Sequence, residues 1–195
     1  MIFPAVTMTN KRYEHSRRVE QTALRLCKKF GMDKDADMEE KVFFAAVAHD
    51  LCKELSDSQL LESAKKDGQP ISENELAKPS LLHGRACAVQ LVEKYGLTES
   101  ADAEILEAVR EHTYGKKGMG IVAQIVYIAD KIEPGRPQID ACYQEKIKDM
   151  TLPELLRHVV AENIAFLQQE GKIPAPRSLE LLESLNAELD QQFQI

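Results

Sequence analysis

The sequence predicts an all-α fold in a single domain. Apolar residues recur at three- and four-residue spacing along nearly the whole chain, no segment alternates as a half-buried strand would, and glycine and proline fall between the periodic stretches. No internal repeat or linker divides the 195 residues, a length that can bury a substantial core.

Thr9 is placed to cap a first helix in which Val19, Ala23, Leu26 and Phe30 share a face as far as Gly31, with His15 one turn before Val19 on that face. A second helix over about 38–52 carries "AAVAHDLCKE" near its C-terminal end. "SDSQLLESAKKDG" reads as a short capped helix closed by Gly68, and the segment between Pro70 and Pro79 as a loop with one turn of helix at "ENEL". Helices follow over about 80–95 and 101–114, then the turn "GKKGMG". "IVAQIVYIADKIE" is dense enough in apolar residues to be the most buried helix, and "PGRP" ends it. Thr151 caps a long helix over 151–170, "GKIPAPRS" is a loop, and an amphipathic helix over about 179–193 completes the chain, packed internally or against a second copy in a homodimer.

Composition excludes several classes. The formal charge of -7 comes without a basic stripe, which argues against a nucleic acid polymer as partner. No apolar run approaches the roughly 20 residues of a membrane span. The start "MIFPAVTMTNKRYEH" lacks a basic leader and a cleavage site, and the four cysteines form no CxxC pair, so the expectation is a cytoplasmic protein with no membrane partner.

Four of the five histidines, His15, His49, His83 and His112, fall on inward faces or at ends of helices that otherwise bury apolar residues, and Asp50 and Asp130 share that setting. Two readings are open. Each imidazole can be a core histidine satisfied by backbone carbonyls, and Asp130 a carboxylate paired with an arginine. Alternatively, one divalent cation satisfies several of these groups at once, since neutral imidazole and carboxylate suit Fe, Mn, Co, Ni or Zn. Adjacent helical residues point about 100° apart, so His49 and Asp50 can share an ion only in the wedge between them, with other helices supplying the rest.

"RYEHSRRV", "VAHDLCKE", "LLHGRA", "REHTYG" and "YIADKIEPGR", in that order, resemble the HD-domain metal-dependent phosphohydrolases, whose signature runs H...HD...H...H...D. "EHTYGKKGM", "ADKIEPGR" and "GKIPAPRSLELLESLN" are similar to the bacterial branch that hydrolyses diadenosine tetraphosphate symmetrically, and the likeness spans about 9–186. The GYP motif of the cyclic-dinucleotide branch is missing.

The resemblance implies a single-domain HD fold and a metal, usually iron, on His15, His49, Asp50 and Asp130. It also implies nucleotide contacts from Arg12, Lys53, His83, His112 and Arg136 and from Gly171, Lys172, Ile173, Pro174, Ala175 and Pro176. A divalent ion lowers the pKa of a bound water towards about 7 and offsets phosphoryl charge, which is what a slow phosphoanhydride hydrolysis needs. Asp50 and Asp130 would in addition orient the attacking water. His83 and His112 would contact the phosphates and protonate the departing oxygen, or hold a second metal. Lys53 follows Asp50 by three and faces phosphate if the helix persists that far; otherwise it is a solvated lysine at a helix end. The expected ligand is a dinucleoside polyphosphate or an ADP-like half of one. Lys116 and Lys117 read better as a solvated turn, and His158 falls outside every matched motif.

Overall fold

The computed structural model describes residues 8–192, among which lie ten α-helices, one short 3-10 segment and no strand. The reading of the N-terminus as lacking a leader rests partly on residues 1–7, which lie outside the described residues. No helix among the described residues is long and apolar enough to cross a membrane.

Helix α1 (Asn10–Lys29) is capped by Thr9, whose side chain accepts from the Arg12 amide, and buries Val19, Ala23, Leu26 and Cys27. It packs against α2 (Ala36–Ala48) and α7 (Ile121–Ile132). The expected α2 boundary needs correction: the helix stops at Ala48 rather than at 52, and His49 is its C-cap. Beyond it the amides of Leu51 and Lys53 bond to the carbonyls of Ala48 and Asp50, so the chain continues in tight i to i−3 turns.

Helix α3 (Asp57–Lys65) begins at a capping box made by Ser56 and Gln59, and Gly68 beyond it has φ +72°. The "ENEL" turn is α4 (Glu73–Ala77), capped in the same way by Ser72 and Glu75. The helix expected over 80–95 is two pieces, a 3-10 turn at Pro79–Leu82 and α5 (His83–Tyr95), with Pro79 at the start of the first. Helix α6 (Ala103–Glu111) ends three residues earlier than expected, with His112 as C-cap.

Helix α7 is the centre of the core: Ile125, Val126, Tyr127, Ile128 and Ala129 are fully buried, and the helix touches α1, α2, α6 and α9 (Leu152–Gln169). A further helix, α8 (Ala141–Ile147), is not among those expected from sequence; Asp140 caps it by accepting from the Tyr143 amide. "GKIPAPRS" is only partly a loop, because α10 (Pro176–Gln192) starts at Pro176, where a missing amide proton costs nothing. Leu181, Leu185 and Leu189 of α10 are buried and the helix packs on α9, the internal option of the two.

Candidate metal centre

The four inward histidines are set mostly by helix ends. His49 caps α2, His112 caps α6 and His83 opens α5 after its 3-10 turn. In His49, His112 and His83, Nδ1 faces the carbonyl three residues back: 2.7 Å from Ala46 O, 2.8 Å from Val109 O and 2.7 Å from Ser80 O respectively. A carbonyl only accepts, so Nδ1 carries the proton and, in the neutral ring, Nε2 presents a lone pair. His15, from the inner face of α1, has Nδ1 3.2 Å from the Glu133 Oε1 carboxylate oxygen.

All four Nε2 atoms turn to one buried place. His15 Nε2 lies 3.4 Å from His49 Nε2 and 3.1 Å from Asp130 Oδ1, and both imidazoles lie 3.7 Å from Asp50 Oδ2. The other oxygen of Asp50, Oδ1, is 3.0 Å from His83 Nε2 and 3.6 Å from His112 Nε2, and those two nitrogens are 2.8 Å apart. Asp50 therefore joins two sets, His15–His49–Asp50 and Asp50–His83–His112, each with donor atoms within 4.8 Å of one another. Gly84 permits the second set: a Cβ there would meet Val109 O at 2.8 Å and His112 Cε1 at 3.2 Å, so α5 and α6 approach through a glycine.

This donor set fits a divalent cation. Two Nε2 lone pairs 2.8 Å apart repel unless a proton or a cation lies between them, and two adjacent buried carboxylates ask for the same charge. Burial lowers His49, and pushes His112 down to about 3, so these rings are neutral at neutral pH, the form that can ligate a cation. Burial works the other way on Asp50 and Asp130 but is outweighed, and both carboxyls lie well below the usual carboxylate range: Asp50 through the imidazoles that face it, Asp130 through Lys131 first and through Arg136. Beside these carboxylates stand four further cations, Arg12, Lys53, Lys131 and Arg136.

Those cations are placed closely. Arg12 Nη1 pairs with Asp50 Oδ2, and Arg136 Nη2 pairs with Asp130 Oδ1 while its Nε donates to Asp130 O at 2.8 Å. Lys53 Nζ is 3.0 Å from His83 Nε2 and 3.9 Å from Asp50 Oδ1; the tight turn after α2 keeps it on the Asp50 side, and burial lowers its pKa. The pairing of Asp130 with an arginine, one of the two sequence readings, is thus present together with the converging imidazoles.

Other expected residues lie apart. Among Gly171–Pro176, Lys172, Ile173, Ala175 and Pro176 line a groove of about 1540 Å³ together with Tyr114, Arg177 and Glu111, and none of the four inward histidines lines it. Lys116 pairs with Glu107, Lys117 is exposed, and His158 pairs with Glu162 on α9.

Two residues of the centre escape a reading of the sequence. Glu133, only 2 % exposed, accepts from Arg18 Nε at 2.6 Å and Gly135 N at 2.6 Å besides facing His15. Burial raises its carboxyl, but these donors bring it below the ordinary value. Lys131 donates to Asp130 Oδ2 at 2.8 Å and to His112 O at 2.9 Å. The signal that could find them is adjacency to Asp130 in "ADKIEPGR", within one turn of a ligand candidate.

The model of the HD domain matches residues 12–135, which span His15, His49, Asp50, His83, His112 and Asp130. The chain belongs to the HD domain family. HD domains bind divalent metals, and the clusters here can hold one. The chain is 29% identical over 187 residues to the symmetrical bis(5'-nucleosyl)-tetraphosphatase of Staphylococcus aureus, covering 92% of this chain and 89% of that one. It is 28% identical over 167 residues to the enzyme of the same name from Bacillus subtilis, covering 85% and 84%. A crystal structure of a predicted HD superfamily hydrolase involved in NAD metabolism, from Clostridium acetobutylicum, superposes with a TM-score of 0.80 at 29% identity over 93% of this chain and 92% of that one. This HD domain is therefore that of a phosphohydrolase.

Proposed function

We propose that the chain hydrolyses diadenosine tetraphosphate, and related dinucleoside polyphosphates, symmetrically to two ADP. A divalent transition metal is held by His15, His49, Asp50 and Asp130; iron is the first choice, and Mn, Co, Ni and Zn suit the same donors. The observation that carries the reading is the convergence of imidazole Nε2 atoms and carboxylate oxygens around Asp50, in a chain that aligns along most of its length with symmetrical tetraphosphatases.

Such a metal, when bound, supplies a water of lowered pKa and offsets charge on a phosphoryl oxygen. The residues of the chain do the remainder. Arg12, Arg136 and Lys53 bind the phosphate chain, the arginines through forked donors. Asp50 and Asp130 orient the attacking water. His83 and His112, whose facing Nε2 atoms can share a proton, contact the bridging phosphates and release that proton to the departing oxygen; the same pair with Asp50 can take a second cation. The loop at 171–176 holds one ADP half, so that the central bridge oxygen departs in line.

Incubation of metal-replete protein with diadenosine tetraphosphate, followed by chromatography, tests this. ADP as the sole nucleotide product is expected, and His49→Ala abolishes it. AMP with ATP would overturn the symmetrical reading, and tight nucleotide binding without turnover would make the protein a sensor.

A further inference from the structure

The four cations around the centre do not contact the carboxylates alike. Lys131 holds Asp130 through Oδ2, and Lys53 approaches Asp50 from the Oδ1 side. The two arginines take the opposite oxygens. Arg12 pairs with Asp50 Oδ2, the oxygen 3.7 Å from both His15 and His49; Arg136 pairs with Asp130 Oδ1, the oxygen 3.1 Å from His15 and 3.9 Å from His49. The guanidiniums thus sit on the two oxygens that face the His15–His49 pair.

An oxygen facing two imidazole lone pairs is claimed by any cation those lone pairs attract. Resting on the hydrolase reading, we propose that Arg12 and Arg136 form an exchange device: a divalent cation at His15–His49 and the two guanidiniums compete for the same carboxylate oxygens, and the displaced guanidiniums become the phosphate-binding groups. Their exposure fits this. The Arg12 side chain is 26% and the Arg136 side chain 36% exposed, against 5% and 10% for their carboxylate partners, so each guanidinium has an open side to turn to. Arg136 also has a second anchor, Nε on Asp130 O, from which its fork can pivot without leaving the centre.

The device makes metal and phosphate binding mutually supportive. A guanidinium paired with a carboxylate has little charge to offer an anion, and one released by a cation has all of it. By linkage the effect is reciprocal: nucleotide phosphate, by holding the arginines away, tightens the metal by the same factor.

The test reads affinities. Mn²⁺ binding is followed through the EPR signal of the free ion, in wild type, Arg12→Gln, Arg136→Gln, the double variant and Lys53→Gln, with circular dichroism confirming each fold. Without nucleotide, the double variant should bind Mn²⁺ at least about tenfold more tightly than wild type, the single variants should fall between, and Lys53→Gln, which removes a charge from the other side of Asp50, should shift less than about threefold. Equilibrium dialysis of labelled ADP, with Mn²⁺ or with chelator, should show the gain from metal shrinking about tenfold in the double variant. Arginine variants that bind Mn²⁺ no more tightly than wild type overturn the exchange, as does an equal effect of Lys53→Gln. If the affinity order holds while Mn²⁺-loaded wild type makes no ADP from diadenosine tetraphosphate, the exchange stands and the hydrolase reading falls. If ADP forms while all the variants bind Mn²⁺ alike, the hydrolase reading stands and the exchange falls.

Discussion

Around Asp50 the protein fixes each imidazole from two directions, while at residues 171–176 it leaves a loop whose Ile173 is 80% exposed. Every imidazole of the centre spends Nδ1 on a carbonyl or on Glu133 and Nε2 on the shared interior. The loop has no comparable network: Lys172 pairs at 3.6 Å with exposed Glu170 and lies over the Phe166 ring. The HD match ends at residue 135, so the loop and α8–α10 lie beyond it. A reacting centre needs atoms held to a fraction of an ångström, whereas a substrate-holding segment needs only to be within reach. The contrast predicts that changes to the imidazoles and carboxylates of the first region cut the chemical step and metal affinity, and changes in the second alter substrate binding alone.

The largest effect should come from Asp50, because one carboxylate serves both donor sets. Asp50→Ala should lower kcat/KM by more than about 100-fold, beyond the range typical of partners outside the ligand shell, and reduce bound metal measured by mass spectrometry. It also removes the carboxylate with which Arg12 pairs. A protein that kept stoichiometric metal after this change would break the claim that Asp50 is the hub. Glu133→Gln comes next. It leaves the ligands in place but weakens the acceptor that turns His15, so metal affinity should fall by about 10–100-fold with the melting temperature of the metal-depleted protein little changed. No change in affinity would mean that α1 alone orients His15.

Gly84→Ala tests the closeness of α5 and α6. The added methyl meets backbone at Val109 O, which cannot rotate away, so a cost of about 1–3 kcal/mol in stability is expected. A displacement of His83 from His112 by a fraction of an ångström should also lower kcat, by up to about 100-fold, with KM nearly unchanged. Denaturant melts and steady-state kinetics on the same sample separate the two effects. A loss of stability with full activity would show that the spacing of the second donor set is not critical.

Much of this centre is legible in the residue pattern. His15, His49, Asp50 and Asp130 stand out because they interrupt apolar helical faces, and α1 and α7 follow from period and punctuation alone. Convergence is not legible that way, since ligands from distant helices have no local spacing. Glu133 reads as an ordinary acid before a proline; its burial is created by Arg18, more than a hundred residues earlier, and by the turn at Gly135. The end of α2 is hidden because "AAVAHDLC" keeps its apolar character past Ala48, whereas the His49 ring settles on the Ala46 carbonyl and the next turns tighten. Helix α8 buries only Ile147 and so carries no apolar period, and α10 begins earlier than its leucines suggest because Pro176 suits a first helical position.

The smallest effect should be at Ile173, and it bears most directly on the contrast. The side chain is exposed and outside the core, so Ile173→Ala should leave stability within about 0.5 kcal/mol of wild type. If the loop covers one ADP half, burying that side chain against the nucleoside contributes at most the roughly 1.5–3 kcal/mol of a fully buried aliphatic group, and a partial cover less. KM should then rise by up to about tenfold while kcat and metal content stay at wild-type values, the pattern of an interaction equally strong in ground and transition states. The same substitution should matter less for inorganic tripolyphosphate, which has no nucleoside to cover. An equal rise in KM for both substrates would place the loop against the phosphate chain, and a fall in kcat would move it into the reacting centre and erase the division between the two regions.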